Sequence, residues 1–331
     1  MASLDGRTVR VAGAGVLGLS IAVELAQAGA AVTVHDPSPG TSASIVAAGM
    51  LAPVFEAVLD PVARDHFPLL MAARDLWPAF AARTGIVLDR AGATYAGERA
   101  LEVRKAVAGL GVAGEARPEG LFVAEDWRLD AEPALEQLRV VAAGLGVTFV
   151  EGALDEVDGV AVAATGWQPV SWAPESAVMS AIKGQIGKSV VGSLAERETG
   201  LVERRDGGYI VPAAGGALVG ATMEPGRSDL TPDDTLLAVI ERAFPELMDE
   251  GYLAKALVGI RGATPDGLPL VGASVRPGVW LAMGARRNGW LLAPLVAAMT
   301  RAYLAGEDPG PWAAVLDARR FTAQGQETSE D

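Results

Sequence analysis

The chain has 331 residues, which exceeds the length of one typical domain, so we expect two domains with a large buried core. Its formal net charge of −14 repels nucleic-acid phosphates and anionic lipids, so neither nucleic acid nor a membrane is expected as a partner. The lack of cysteine excludes disulfides, thiolate metal sites and cysteinyl-flavin links. Because there are also only two histidines, we expect no metal centre.

The apolar segments of the sequence are too short to span a membrane. None reaches the roughly 18 to 20 apolar residues that cross a bilayer. The longest, Trp290 to Thr300, predicts a buried helix instead. No basic and then apolar leader precedes the first structured unit, which begins at about residue 8. We therefore expect a soluble protein of the cytoplasm.

The N-terminal segment, residues 9–36, has the order of elements that is typical of dinucleotide binding. An apolar strand comes first and leads into a glycine-rich turn. Leu17, Ile21 and Leu25 then recur at the spacing of one helix face. A second apolar strand follows and ends on Asp36. This order predicts a dinucleotide site, and the alternative is a glycine-rich turn that binds nothing.

Each glycine of the motif GxGxxG is required for a different physical reason. Gly13 permits the tight turn, Gly15 lets the backbone approach a pyrophosphate, and Gly18 lets the helix pack closely on the strand. The free N–H groups at the helix N-terminus would then meet the negative phosphates. Asp36 is placed to accept hydrogen bonds from the hydroxyl groups of a ribose.

The segment from residue 37 to residue 166 shows several further periodic stretches. Their apolar spacing and their glycine and proline residues separate helices from strands. The pattern predicts a helical region over 55–83, paired strands over 85–95 with a turn at 89–92, helices over 98–110 and 127–144, and buried strands over 147–150 and 159–164.

The second half of the chain alternates like strands from Ile182 onwards. A helix is predicted over 231–244, with Thr231 as its N-cap and Pro232 at its first position. A strand over 279–285 then leads into a final helix from Trp290. The polar residues from about position 322 onwards are expected to fray.

Three separated parts of the sequence resemble one known family. They are the dinucleotide unit with ASIVAAGMLAP (43–53), then GYIVPAAGGALVGATMEPG (208–226), and lastly GIRGATPDGLPLVG (259–272) with GARRNGWLLAP (284–294). In this order they resemble the flavin-dependent D-amino-acid oxidase superfamily, and within it the glycine oxidases of thiamine synthesis. The match spans nearly the whole chain, which makes it more specific than the glycine motif.

The resemblance implies a fold class and a cofactor. The expected fold is α/β, with a Rossmann-like FAD-binding domain interleaved with an α+β substrate domain built on a mostly antiparallel sheet. FAD would be bound non-covalently. The expected boundaries assign 1–80, 126–178 and 258–331 to the FAD-binding domain, and 81–125 and 179–257 to the substrate domain.

By matching position, the resemblance also implies a substrate site. Arg261 would bind the substrate carboxylate, because a guanidinium fixes both its angle and its position. Tyr209 would donate a further hydrogen bond to that carboxylate. Arg287 would be the second active-site arginine, and Met223 would lie close to the substrate.

Each of these residues could instead have a purely structural role. Arg261 could form an ion pair with Asp266, and Arg286 could point inward instead of Arg287. The tyrosine could be a half-buried packing residue, and the methionine could fill the core.

The resemblance further implies contacts to the flavin. The N–H groups at the start of the final helix carry partial positive charge and could stabilise the reduced ring, although the helix could simply cover the sheet. The expected flavin contacts are Gly13, Gly15, Val16, Leu17, Gly18, Asp36, Pro37, Ser42, Ser44, Ala48, Gly49, Met50, Thr165, Gly166, Arg287, Asn288, Gly289, Trp290 and Leu291.

Two departures from the family pattern are visible. Only about eight residues bridge Glu151 and Gly159, where the family has a longer strand meander. Ala285 stands where an aromatic residue is common, and Trp290 where a smaller aliphatic residue is common. The size of the substrate pocket therefore cannot be copied from the family.

The reaction that the resemblance implies is oxidation of glycine, a small D-amino acid or N-methylglycine. Hydride would pass from Cα to flavin N5, water would hydrolyse the imine, and O2 would be reduced to H2O2. One alternative is a dehydrogenase that passes electrons to a quinone or carrier. Others are an NAD(P)-dependent dehydrogenase and a flavin-binding module without turnover. The partners expected are a small amino acid or amine and O2, and the family also suggests a homo-oligomer.

Overall fold

The computed structural model describes residues 3–118, 120–189, 200–213, 216–248 and 255–322. The helices are α1 (Val16–Gln27), α2 (Pro53–Leu59), α3 (Phe67–Thr84), α4 (Ala100–Gly109), α5 (Ala131–Gly144), α6 (Thr235–Ala243), α7 (Gly289–Ala305) and α8 (Ala313–Leu316), with 3-10 turns at Arg64–His66, Pro174–Val178 and Pro245–Leu247. The strands are β1 (Thr8–Ala12), β2 (Ala31–Asp36), β3 (Met50–Leu51), β4 (Ala93–Tyr95), β5 (Glu115–Arg117), β6 (Gly120–Val123), β7 (Trp127–Arg128), β8 (Thr148–Glu151), β9 (Val160–Ala163), β10 (Ser180–Ser189), β11 (Val202–Arg205), β12 (Gly208–Ala213), β13 (Gly216–Gly220), β14 (Glu224–Pro225), β15 (Lys255–Ala263), β16 (Leu270–Ala273) and β17 (Val279–Met283).

A six-stranded sheet carries the N-terminal unit. Its strand order is β16-β17-β9-β1-β2-β8, and all neighbours are parallel except β16, which runs antiparallel to β17. Helix α1 packs against α5 and α7, and α3 packs against α7. Helix α7 is buried along most of its length. The predicted β1–α1–β2 unit is therefore confirmed, with the glycine-rich turn at the carboxyl end of β1.

Two glycines set the close contact between β1 and α1. Gly13 has φ +104°, and a Cβ atom at this position would collide with the carbonyl oxygen of Ala164. A Cβ atom at Gly18 would collide with the carbonyl oxygen of Gly13. Both positions therefore exclude a side chain, which lets α1 begin directly beside the end of the strand.

A nine-stranded sheet forms the second layer. Its order is β14-β10-β13-β12-β11-β4-β6-β5, with β15 paired to β10. The pairs are antiparallel except β4 with β11. The register places Ile182 opposite Arg261 and Arg204 opposite Tyr209. The predicted fold class, a Rossmann-like unit with a mostly antiparallel second sheet, is confirmed.

The domain boundaries stay a prediction. The strands of the six-stranded sheet all fall in segments assigned to the FAD-binding domain, whereas β15 runs across the expected boundary at residue 258.

Several local predictions were wrong because non-local contacts decide the structure. The expected hairpin over 85–95 does not form, since Asp89 pairs through its backbone with Arg128, at 2.8 and 2.9 Å. The helix expected from residue 127 begins at Ala131, because Trp127–Arg128 pairs with β3. The expected helical region over 55–83, by contrast, is confirmed, and it consists of α2 and α3 with a 3-10 turn between them. Strand β8 is an edge strand and is largely exposed rather than buried.

The helix expected from Thr231 also begins later, at Thr235. The Asp233 carboxylate accepts the Thr235 N–H at 3.0 Å and a hydrogen bond from Gln185 at 2.7 Å. The segment before the helix is thus tied to β10 and cannot form the first turn. The fraying expected after position 322 falls on 323–331, which lie outside the described residues.

Neither a membrane-crossing helix nor a cluster of metal ligands is found among the described residues. No described helix combines the length and apolar character that a membrane crossing requires. No group of three histidine or acidic side chains among the same residues could hold a metal ion.

The Gly18 contact predicts a specific loss of stability. Gly18→Ala should lower the free energy of unfolding by about 1–3 kcal/mol, because the added methyl group meets a backbone carbonyl that cannot move away cheaply. Gly144→Ala is the matched control, since a Cβ atom there meets nothing within 4 Å and alanine favours the helix. Denaturant unfolding of both variants measures the difference, and equal stabilities would contradict the packing role of Gly18.

Candidate functional site

Two cavities meet between the two sheets. The large cavity has a volume of about 870 Å³ and extends from the glycine motif to the 165–172 segment. The small cavity has a volume of about 420 Å³ and lies against the nine-stranded sheet. The residues that line both cavities are Ala43, Ala47, Arg261, Arg287 and Trp290. A ligand that fills the large cavity would therefore end beside the small one.

The turn after β1 forms one end of the large cavity. The Asp36 carboxylate accepts hydrogen bonds from the Ala14 N–H at 3.0 Å and the Ser38 N–H at 2.9 Å. The Ser44 hydroxyl accepts the Val16 N–H, the first of α1, at 3.0 Å. The carboxylate and the hydroxyl thus fix the shape of the turn at the end of β1 and at the start of α1.

The start of α7 also borders the large cavity and lies close to the start of α1, since a Cβ atom at Gly289 would be 3.6 Å from the Val16 side chain. The first backbone hydrogen bond within this helix is from Leu292 N–H to Asn288 O, at 2.9 Å. The preceding N–H groups, including those of Gly289 and Trp290, therefore have no acceptor within the helix. The Trp290 indole donates to Ser44 O at 3.0 Å and packs against Trp77 at 6.3 Å between ring centroids. This contact joins the loop over α1 to the start of α7.

These features fit a bound dinucleotide. A side chain at Gly15 would project toward the Ser42 and Ser44 side chains, at 3.9 and 3.3 Å, and would narrow the cavity. Backbone N–H groups at two helix N-termini suit anionic groups, and Asp36 suits a ribose. The shape and the donor set of the large cavity thus suit a ligand of FAD type.

Arg261 projects from β15 to the junction of the cavities. Its Nη1 atom donates to Thr222 O at 3.1 Å, and its guanidinium occupies the space that a Cβ atom at Gly184 would need. Among the described residues, no carboxylate lies within ion-pair distance of it. Burial lowers its pKa, and the charge of Arg287 acts in the same direction. The alternative pairing with Asp266 is wrong, because Asp266 binds Arg320 at 2.8 Å.

Tyr209 lies on β12 in the wall of the small cavity. It is 9% exposed, and its hydroxyl has no hydrogen-bond partner among the described residues. Burial raises the pKa of this phenol, and the charges of Arg261 and Arg287 oppose that shift. The hydroxyl is therefore a neutral donor. Met223 lines the same cavity.

A buried cluster of charges stands behind this wall. Glu56 Oε1 accepts hydrogen bonds from Arg204 at 2.9 Å and from Arg287 at 3.2 Å. Asp60 pairs closely with Arg286 and lies 3.6 Å from the Arg287 guanidinium. Burial raises the pKa of Glu56, but the charges of Arg287 and Arg204 outweigh burial and lower it. Glu56 is therefore ionised.

The sequence pattern had not singled out Glu56 and Arg204. The one available signal was an acidic residue within the otherwise apolar stretch LAPVFEAVL (51–59). Arg286 lines the large cavity, whereas Arg287 lines both cavities, so both arginines lie at the site.

The structure distributes the predicted site residues over both cavities. Gly18 and Leu291 line neither cavity, because the first lies inside α1 and the second is fully buried in α7. Those that line the large cavity are Gly13, Gly15, Val16, Leu17, Asp36, Pro37, Ser42, Ser44, Thr165, Gly166 and Gly289. Those on the small cavity are Ala48, Gly49, Met50, Tyr209, Met223 and Asn288.

Comparison with known proteins identifies the family. The family model described as FAD dependent oxidoreductase matches residues 8–303. The chain therefore belongs to the FAD-dependent oxidoreductase family.

Two curated relatives match most of this chain. The chain is 30% identical to the bifunctional protein ThiO/ThiG of Trichormus variabilis, over 97% of this chain and 56% of that protein. It is 31% identical to the Nostoc sp. protein of the same name, over 88% of this chain and 52% of that protein. It thus spans about half the length of these curated relatives.

Two solved structures have the same overall fold as this chain. Glycine oxidase from Geobacillus kaustophilus shares 24% identity and a TM-score of 0.79, over 95% of this chain and 99% of that chain. Iminodiacetate oxidase from Chelativorans sp. BNC1 shares 18% identity and a TM-score of 0.79, over 93% and 98% of the chains.

Asp126 holds the helix that carries Glu56. Its two carboxylate oxygens accept the N–H groups of Val54 and Phe55, at 2.8 and 3.0 Å, at the start of α2. Burial raises the pKa of Asp126 to about 7, although both backbone donors favour the charged form.

The raised pKa predicts a pH-dependent stability. The folded protein holds a proton on Asp126 up to about pH 7, whereas the unfolded chain releases it near 3.8. The resulting stabilisation is complete below the lower value and is lost as pH rises through the higher one. The free energy of unfolding, relative to Asp126→Asn, should therefore fall by up to about 1.4 kcal/mol per pH unit between these values. Denaturant unfolding at several pH values measures this slope, and a flat difference would contradict it.

Proposed function

We propose that the chain oxidises glycine, a small D-amino acid or N-methylglycine with FAD as its cofactor and O2 as the electron acceptor. The observation that carries the proposal is the Arg261 guanidinium, which meets no carboxylate among the described residues and lies where the two cavities join. The names of the glycine oxidase relatives support the same substrate class.

The substrate carboxylate would lie on Arg261 and Tyr209. The Arg261 guanidinium donates one hydrogen bond to Thr222 O, and its other N–H groups can form a bidentate pair with a carboxylate. The Tyr209 phenol would donate a further hydrogen bond. Because the carboxylate replaces the missing counter-charge, its binding offsets the cost of burying Arg261. Arg287 would border the same space, with its guanidinium oriented by Glu56 and Asp60.

FAD would lie along the large cavity, with its diphosphate at the start of α1 and its ribose at Asp36. When bound, FAD supplies a two-electron acceptor. The residues of the chain would orient the substrate so that its Cα–H faces this acceptor, and they would exclude water from the junction. In the balanced reaction the amino acid loses one hydride and one proton, and water converts the imine to an oxo acid and free amine. O2 takes up two electrons and two protons as H2O2.

Anaerobic mixing with small amines tests the function. We expect the purified yellow protein to lose its flavin absorbance with glycine, N-methylglycine or a small D-amino acid, and to recover it with air. A protein that stays colourless after incubation with excess FAD would refute the cofactor. FAD binding without bleaching by any of these amines would favour a binding module without turnover.

The electron acceptor needs its own measurement. Release of H2O2 in air, in proportion to the amine consumed, is the result that an oxidase gives. Slow reoxidation by air with fast reoxidation by a quinone would favour the dehydrogenase alternative.

Replacement of Arg261 gives the most direct prediction for the site. Arg261→Ala should raise KM at least a hundredfold while FAD stays bound, because a charge-assisted pair contributes about 3 kcal/mol to binding. Arg74→Ala is the control, since Arg74 is 7% exposed and lines neither cavity. Steady-state kinetics and the flavin spectrum of both variants report the two effects. An unchanged KM in Arg261→Ala would remove this residue from the substrate site.

A further inference from the structure

Another arginine, Arg204, is buried and lines the same cavity as Arg261. Arg204 lies on β11 directly opposite Tyr209, and it is 2% exposed. Its guanidinium carbon lies 5.7 Å from the centroid of the Tyr209 ring. Arg204 therefore stands beside the phenol that is proposed to bind the carboxylate, on the wall of the small cavity.

In the described part of the chain, one hydrogen-bond acceptor is found for the Arg204 guanidinium. Its Nη2 atom donates to Glu56 Oε1, and its buried Nε atom has no acceptor among the described residues. Glu56 Oε1 also accepts a hydrogen bond from Arg287, while Glu56 Oε2 is buried and has no donor among the described residues. One carboxylate oxygen thus accepts hydrogen bonds from two guanidiniums. As a result, donors of Arg204 such as Nε have no partner among the described residues. Unsatisfied donors in a buried site favour a ligand that brings acceptors.

The charges around the small cavity do not balance. Arg286 is paired with Asp60. Asp60 also approaches Arg287, and Glu56 is shared by Arg204 and Arg287. Within this group of described residues, four guanidiniums (Arg204, Arg261, Arg286 and Arg287) therefore face two carboxylates, so two positive charges have no carboxylate of their own. A substrate with a single carboxylate would neutralise one of them and leave the other buried, which is costly.

The cavity is also larger than glycine requires. Its volume of about 420 Å³ lies within the range of roughly 300–1,000 Å³ that is typical of pockets for much larger ligands. Besides Tyr209, its lining includes Gly207 and Arg242. A side chain that continues from Cα would therefore have room along the wall that Arg204 lines.

We propose that Arg204 is a specificity-determining residue and that, among the small amino acids and N-substituted glycines, the preferred substrate carries a second carboxylate. This inference rests on the proposed function. The α-carboxylate lies on Arg261 and Tyr209, and the second carboxylate accepts hydrogen bonds from Arg204. The competing interpretation is that Arg204 only ties β11 to α2 through Glu56.

The wild-type holoenzyme tests the proposal first. We expect kcat/KM for D-glutamate, D-aspartate or iminodiacetate to exceed that for D-alanine and glycine at least tenfold. The unreactive diacids malonate and glutarate should likewise shift the spectrum of the bound flavin at concentrations at least tenfold below those of acetate and propionate. Equal or weaker action of the diacids would overturn the proposal. If no amine reduces the flavin, the oxidase function fails, but the spectral titration still decides whether the site prefers diacids.

The variant Arg204→Gln tests the residue. The ratio of kcat/KM for the best diacid substrate to that for D-alanine should fall roughly 10- to 100-fold, as expected for loss of a charge-assisted hydrogen bond. Arg74→Gln, which replaces an arginine buried outside both cavities, should leave this ratio unchanged. A ratio that stays constant in Arg204→Gln would assign Arg204 to the structural role.

The single variant leaves Glu56 with fewer partners and could fail to fold. The double variant Arg204→Gln/Glu56→Gln removes both charges of the pair and keeps their shape, so the same ratio is measured there against Glu56→Gln alone. A lower ratio in the double variant supports the proposal, and an equal ratio refutes it.

Discussion

The arrangement of the site depends on one buried carboxylate, Glu56. It lies on α2 and accepts hydrogen bonds from Arg204 in the nine-stranded sheet and from Arg287 in the turn before α7. Three elements that are distant in sequence therefore meet at a single oxygen atom. Because an unpaired buried charge is costly, none of the three can move without the others. Asp126 fixes this point further, since it binds the backbone at the start of α2.

Arg261, unlike Arg204 and Arg287, has no carboxylate partner among the described residues. It is surrounded by Tyr209 and by other cations, and within the described residues it meets the Thr222 carbonyl but no carboxylate. The protein pairs Arg286 with Asp60 and lets Arg204 and Arg287 share Glu56, whereas it leaves Arg261 to be stabilised by a ligand. A site of this kind favours an anionic substrate over water, because the anion supplies the negative counter-charge that Arg261 lacks.

Sequence reasoning was accurate where structure depends on local spacing. The β1–α1–β2 unit could be predicted because glycine spacing and helix periodicity act within 30 residues. Contacts across the chain could not be predicted from periodicity. The pair of Glu56 and Arg204 joins residues 148 positions apart, and the backbone pairing of Asp89 with Arg128 removed an expected hairpin. Arg261 and Tyr209 were predicted from the resemblance to a known family. Glu56 and Asp60, which pair with the neighbouring arginines, belong to no recognised sequence motif and were not predicted.

The orientation of Arg261 is itself set by a remote network. Its acceptor, Thr222 O, begins a segment that ends at α6, and this segment is anchored by the fully buried Lys183. The Lys183 ammonium donates to Asp229 at 2.8 Å, to Thr231 O at 2.6 Å and to Asp233 at 3.1 Å. On the other side, the absence of a side chain at Gly184 leaves the space that the guanidinium occupies. The donors for a carboxylate are therefore in place before any substrate arrives, and little side-chain entropy has to be lost on binding.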